Sequence, residues 1–177
     1  MHEAWKHIQA ILLLPGVVTV VIPATILYLT GTDTFGLSNS SPILRTILAF
    51  LGTLYIALGI VLFVATNRLF AMIGRGTLAN WNPTSHLVVE GVYRHVRNPM
   101  ISGVFAILLG ESLVAGSVPL FVWLLIFVAI NATYIPFFEE PGLKRRFGAD
   151  YEEYRRNVPR WIPRLKRWVR EANQFRL

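Results

Sequence analysis

Four apolar runs restrict what this chain can fold into. They cover residues 8–29 (IQAILLLPGVVTVVIPATILYL), 43–66 (ILRTILAFLGTLYIALGIVLFVAT), 99–115 and 118–138 (VPLFVWLLIFVAINATYIPFF). About 20 residues of helix cross a hydrocarbon core of about 30 Å. The first, second and fourth runs meet that length. The third is shorter and carries Glu111, and only Gly116-Ser117 separates it from the fourth. So short a link predicts a tight antiparallel helical hairpin. Pro15 and Pro23 should kink the first run. That run is too long for the apolar core of a secretory signal and has no convincing cleavage site after it, so it is expected to be retained. Across 177 residues the chain is 54% hydrophobic and only 15% charged, with mean hydropathy +0.49. This is the composition of a small integral membrane protein. The predicted fold is all-α: a polytopic membrane bundle of about four transmembrane helices with cytoplasmic amphipathic helices. Residues 1–177 form a single domain, with 1–66 an N-terminal helical pair and 67–177 a functional core.

Lysine and arginine set the orientation. Lys6 precedes the first run, and Arg45 opens the second. Arg68, Arg75, Arg94 and Arg97 lie between the second and third, and all the remaining basic residues, from Lys144 to Arg176, follow the fourth. With four spans, sixteen of the seventeen basic residues share one side, which identifies it as cytoplasmic and puts both termini there. Arg45 can snorkel to the opposite interface. The net charge of +7 therefore records topology, and nucleic acid is not expected as a partner.

Two stretches make up the cytoplasmic face. Residues 67–98 are long for a connection, and such loops are usually functional. After the fourth run, Pro141 suits a helix's first turn. Leu143, Phe147, Tyr151, Tyr154 and Val158 recur at helical spacing, with a bend expected near Gly148. Beyond Pro159 and Pro163, Trp161, Leu165, Trp168, Ala172 and Phe175 keep that spacing among Arg164, Lys166, Arg167 and Arg170. This reads as a second, basic helix lying on the bilayer surface.

Two groups of polar residues exceed what topology needs. One is Tyr93–Pro99 (YRHVRNP), just before the third run, and the other is Glu139-Glu140, just after the fourth. Plain anchoring accounts for the first equally well, and a local ion pair to Lys144 or Arg145 for the second. A hairpin of the last two runs would bring both groups to one cytoplasmic cleft, where arginine, tyrosine and carboxylates suit a ligand with both cationic and anionic parts. Side chains at such helix ends should be replaceable without loss of the fold. The chain has no cysteine, which excludes disulfides and thiolate chemistry. His86 and His95 are too few to hold a metal, so none is expected. Glu111 and Asn131 are intramembrane polar residues, and Glu111 is assigned to helix packing.

The segments HLVVEGVYRHVRNPM (86–100) and FEEPGLKRRFGADYEEYRRNVPRWIP (138–163) resemble the isoprenylcysteine carboxyl methyltransferase family and the related membrane phospholipid methyltransferases. The resemblance covers roughly the last 100 residues. It implies a compact helical membrane bundle and S-adenosylmethionine (S-adenosyl-L-methionine) as cofactor. It also implies a lipophilic small-molecule or prenylated acceptor, or a membrane lipid. On the family pattern His86, Leu87 and Val88 line the adenosine, and Gly91 and Tyr93 match a Gly-x-Tyr element. Arg97, Asn98 and Pro99 fall on an Arg-His-Pro-x-Tyr motif, with Asn98 replacing the histidine and Ile101 the tyrosine. Glu139 and Glu140 match a Glu-Glu pair. Arg97 is then the partner of the cofactor carboxylate, Glu139 or Glu140 the acceptor for its ammonium and ribose hydroxyls, and Tyr93 and Leu87 walls for adenine. Arg160 is a candidate to hold a carboxylate acceptor.

A carboxylate is already nucleophilic, whereas an amine must first lose a proton, and the sequence marks no base for that. The reading therefore leans to carboxyl O-methylation, with phospholipid N-methylation or S-methylation as alternatives. An NADPH-dependent sterol-reductase-like enzyme and a non-catalytic adaptor are the readings from other classes.

Overall fold

The computed structural model describes residues 12–69, 72 and 87–169. Every regular element among them is helical, with no strand. The first run begins as a π-helical stretch, Leu12–Val21, with Pro15 inside it, and continues as α1, Ile22–Thr30. Thr19 Oγ1 donates to the Pro15 carbonyl at 2.7 Å. Pro23 stands at the start of α1, and the Val18 carbonyl, five residues before it, accepts from Trp123 Nε1 at 3.2 Å. The widened turns around Pro15 and this side-chain donor are how the two prolines are accommodated.

Helix α2 spans Pro42–Leu69 and packs along α3, Pro99–Ala115. Glycines make this contact. A Cβ on Gly59 would come 2.5 Å from the Gly103 carbonyl oxygen, and one on Gly110 would meet the Gly52 carbonyl. Gly52 pairs with Gly110 and Gly59 with Gly103, so the helices run antiparallel with their backbones touching. Lipid supplies no hydrophobic drive between helices, and close approach at small residues supplies packing instead.

Helix α3 stops at Gly116, which is left-handed at φ 58°. The Ser117 N–H closes back on the Ser112 carbonyl at 3.0 Å. The Ser117 side chain then accepts from the Leu120 N–H and caps α4, Val118–Tyr134. One glycine and one serine thus end one helix and start the next. Phe105 meets Phe127 edge-on at 5.9 Å, and Val104, Leu108 and Leu124 are buried between α3 and α4. The loop after α1 is pinned to this turn. Asp33 and Phe35 donate to the Ala115 and Gly116 carbonyls, and the Asp33 carboxylate accepts from Leu37 and Ser38 N–H.

The fourth run does not end at residue 138. It passes through a π-helical joint, Ile135–Glu139, into α5, Glu140–Asn157, which bends at Gly148 (φ 53°). By length and composition two helices can cross a membrane, Pro42–Leu69 and the continuous Val118–Asn157, with two shorter apolar helices, Pro15–Thr30 and Pro99–Ala115, beside them. Large apolar side chains cover the outside of these helices, among them Tyr28, Phe50, Val61 and Leu125.

The basic helix expected beyond Pro159 does not form within residues 158–169, which are irregular. Ala172 and Phe175 lie outside the described residues. Pro159 and Pro163 have no N–H, and a residue before proline is driven toward extended conformations. The segment's backbone pairs instead with residues 94–97: Arg97 N–H to the Pro159 carbonyl, Arg164 N–H to His95 and Trp168 N–H to Arg94, at 2.9–3.0 Å.

Candidate functional site

The residues just before α3, the first turn of α5 and the irregular segment after α5 meet at Glu140. Its side chain is 5% exposed. Oε1 accepts from Arg97 Nη1 at 2.8 Å and from Arg160 Nε at 2.9 Å. Arg155 Nε lies 3.7 Å from Oε2. One carboxylate therefore holds three guanidinium groups together. A local partnership with Lys144, the topological alternative, is not what forms, because Lys144 pairs with Glu152 at 2.7 Å.

Arg97 reaches Glu140 because Asn98 and Pro99 start α3. The Ser102 N–H and hydroxyl both bond the Asn98 carbonyl at 3.0 Å, which fixes that turn. Arg97 Nη1 also lies 3.4 Å from the Tyr151 hydroxyl. Two donors at the site remain buried without a hydrogen-bond partner, Arg97 Nε and Asn98 Nδ2. Buried polar groups normally find partners, and these two donors are available to an acceptor-bearing ligand.

The other sequence candidates separate by position. His86 lies outside the described residues. Leu87 packs against a cluster formed by Val88, Tyr93, Tyr151, Tyr154 and Val158. Tyr93 is 7% exposed, and its carbonyl accepts from the Tyr154 hydroxyl at 2.8 Å. The Tyr93 ring therefore belongs to this core and is not an open wall for adenine. Gly91 adopts φ 55° with Leu69 directly beneath it, so a side chain there would be both strained and crowded. His95 Nδ1 bonds the Arg164 carbonyl at 2.8 Å, which agrees with a structural role.

The two glutamates differ. Glu139 lies just past the apolar run, is exposed along one side and has no ion-pair partner among the described residues. Enough protein still surrounds its carboxyl to desolvate it, and that burial, followed by the Glu140 charge, raises it above the ordinary carboxylate value. The phenols are held protonated. Burial, then the Glu140 charge, pushes Tyr151 to about 12, and burial raises Tyr93 and Tyr154 as well. None of the three is an ionised base near neutral pH.

Sequence reasoning missed Arg155 and Tyr151 as members of this cluster. Both lie on α5 within reach of Glu140 and Arg97, and only the helical register from Glu140 onward could have pointed to them.

The model of the phospholipid methyltransferase family matches residues 47–150. The match takes in the glycine contact of α2 and α3, Arg97 to Pro99, and both glutamates, and leaves out Arg155, Arg160 and the segment after α5. No curated protein and no solved structure matches the chain.

Proposed function

The chain belongs to the phospholipid methyltransferase family, and from that premise we propose that it transfers a methyl group from S-adenosylmethionine to a lipid acceptor at the cytoplasmic face. Membership implies a membrane-embedded methyltransferase. What supports the finer reading is the pair of orphan donors, Arg97 Nε and Asn98 Nδ2, beside the Glu140 cluster. S-adenosylmethionine carries a carboxylate and ribose oxygens that such donors bind, and it supplies an already activated methyl group.

The proposed architecture is four spans in a single domain, with both termini cytoplasmic and the last two spans forming a hairpin. The Gly116-Ser117 turn and the Phe105–Phe127 contact support the hairpin. The bias of basic residues supports the orientation.

In this arrangement Arg97 and Asn98 hold the cofactor's acceptor atoms, and Glu140 holds Arg97 in place together with Arg160 and Arg155. Holding donor and acceptor in line accounts for most of what a methyl transfer needs. Glu139 is the free carboxylate. Its raised pKa makes it a stronger base than an ordinary glutamate, and its charge can receive an ammonium. These properties favour an amine acceptor of phospholipid headgroup type, with Glu139 taking the proton the amine must lose. Carboxyl O-methylation is the second reading. Arg160 is already engaged by Glu140, so the half-exposed Arg155 would have to hold the acceptor carboxylate.

Calorimetry of the detergent-solubilised protein tests the cofactor. S-adenosylmethionine should bind saturably and NADPH should not. Arg97→Ala should cost about 1.5–3 kcal/mol of that binding, roughly tenfold or more, while Arg94→Ala should do little. Glu139→Gln should keep cofactor binding and lose methylation of an ethanolamine phospholipid. Wild-type affinity in a folded Arg97→Ala protein would overturn the site. Unchanged amine methylation in Glu139→Gln would overturn the base.

A further inference from the structure

Residues 159–169, PRWIPRLKRWV, form a strap across the site. Its backbone bonds to residues 94–97 fix its course, and Arg160 ties it to Glu140. Two tryptophans face inward. Trp161 lies 5.4 Å from Phe105, and Trp168 lies 5.8 Å from Tyr154. The side chains between and beside them face out: Leu165 is 99% exposed, Ile162 79% and Val169 57%. Lys166 and Arg167 are also exposed, and the strap contains no acidic residue.

A segment this well tied down has no need to display three large aliphatic side chains to water. Its height explains them. Phe105 stands in the second turn of α3, about 9 Å along the helix from Pro99 at 1.5 Å per residue. Through Trp161 the strap therefore lies level with the start of the apolar layer. Aliphatic side chains interleaved with cations at this level have the chemistry of a segment seated between headgroups and acyl chains.

We propose that the strap is a recognition surface for anionic phospholipid. Ile162, Leu165 and Val169 enter the headgroup–acyl boundary. Lys166 and Arg167, with Arg164 beside them, take lipid phosphates. Because Arg160 and the Pro159 carbonyl lie on the same strap, seating it on the bilayer holds Arg160 on Glu140 and couples lipid composition to the Arg97 site. The inference rests on the strap and on a membrane-embedded fold, and it stands whichever acceptor is methylated.

The chain has no cysteine, so Leu165→Cys in the full-length protein gives one site for a polarity-sensitive fluorophore. The labelled protein is placed in nanodiscs of phosphatidylcholine alone or of phosphatidylcholine mixed with phosphatidylglycerol. Emission should shift to the blue and be quenched by nitroxides attached near the headgroup end of the acyl chains. The quenching should be stronger with phosphatidylglycerol and weakened by salt. Lys166→Gln and Arg167→Gln should each lower the phosphatidylglycerol-dependent docking equilibrium about fivefold. Ile162→Cys should report the same behaviour, so a perturbed Leu165 variant does not leave the question open. Water-like emission from both positions in both lipids would overturn the proposal. So would quenching that is indifferent to phosphatidylglycerol, or quenching by a second labelled copy and not by lipid.

Discussion

Two regions of one helix, α3, differ in what they touch. Along its length α3 presses glycines against glycines of α2, with neither charge nor ligand involved. Just before its first turn Arg97 bonds a carboxylate, and the donors Arg97 Nε and Asn98 Nδ2 are left without partners. The glycine seam is a backbone contact, Gly52 against Gly110 and Gly59 against Gly103. The Glu140 cluster sets three guanidinium groups against one carboxylate and leaves hydrogen bonds unmade. A rigid seam holding a helix end with unpartnered polar groups is what a binding site on a small bundle requires, and the proposed ligand chemistry falls on the second region.

The largest expected effect falls on the cluster. The polar helix ends were expected to be replaceable without loss of the fold, on the premise that they lie at the surface. Burial overturns that premise, since Arg97 and Glu140 are only 10% and 5% exposed. Breaking a buried pair by removing one partner strands the other's charge. Glu140→Gln should therefore destabilise the protein by about 3–5 kcal/mol, seen as a lower thermal midpoint in detergent as well as lost cofactor binding. Wild-type stability would mean that the three arginines are solvated individually and that the cluster is not a structural unit.

Next in size is the seam. A Cβ at Gly110 would meet the Gly52 carbonyl and the Ile56 side chain. Gly110→Val should cost about 1–3 kcal/mol by overpacking and should leave cofactor affinity, measured on the folded fraction, unchanged. Gly142 on α5 gives the opposite control. Nothing lies within 4 Å of its added Cβ, so Gly142→Ala should stabilise by about 0.4–1 kcal/mol. If both glycine variants behaved alike, backbone contact would not be what joins α2 to α3.

The seam and the cluster were not equally legible in the sequence. The apolar runs marked the helices, and Pro99 and Gly116 marked the ends of α3, because hydrophobic length and turn residues are local signals. The glycine contacts passed unread, since a glycine seven residues from another has meaning only against a partner helix. Arg97 and Glu140 were both singled out, but as groups each meant for a ligand, and their direct bond to one another appears only in three dimensions. The strap was misread for a related reason. The spacing of Trp161, Leu165 and Trp168 fits a helix, yet Pro159 and Pro163 withhold donors and the remaining N–H groups find carbonyls at Arg94 and His95. Periodicity cannot register a pairing across some seventy residues of chain, as between His95 and Arg164.

The smallest effect separates burial from charge on a single helix. Glu152, like Glu140, lies on α5 and has basic partners, Lys144 at 2.7 Å and Arg156 at 3.9 Å, but Lys144 is 60% exposed. The hydrogen bond and the charge of Lys144 lower the Glu152 pKa below the ordinary value of 4.5. A carboxylate whose folded pKa is depressed contributes stability above its unfolded pKa and loses it as pH falls through the folded value. Glu152→Gln should therefore lower stability at neutral pH only by the small contribution of an exposed pair and match the wild type in acid. It should remove a shallow acid-dependent step that begins near pH 4.5 and extends downward, and moderate salt should erase the same step in the wild type. The loss in Glu140→Gln should instead persist in salt, because water and ions do not reach that carboxylate. Equal salt sensitivity in the two variants would show that the cluster is held as an exposed pair is, by charge alone, and that burial contributes nothing to it.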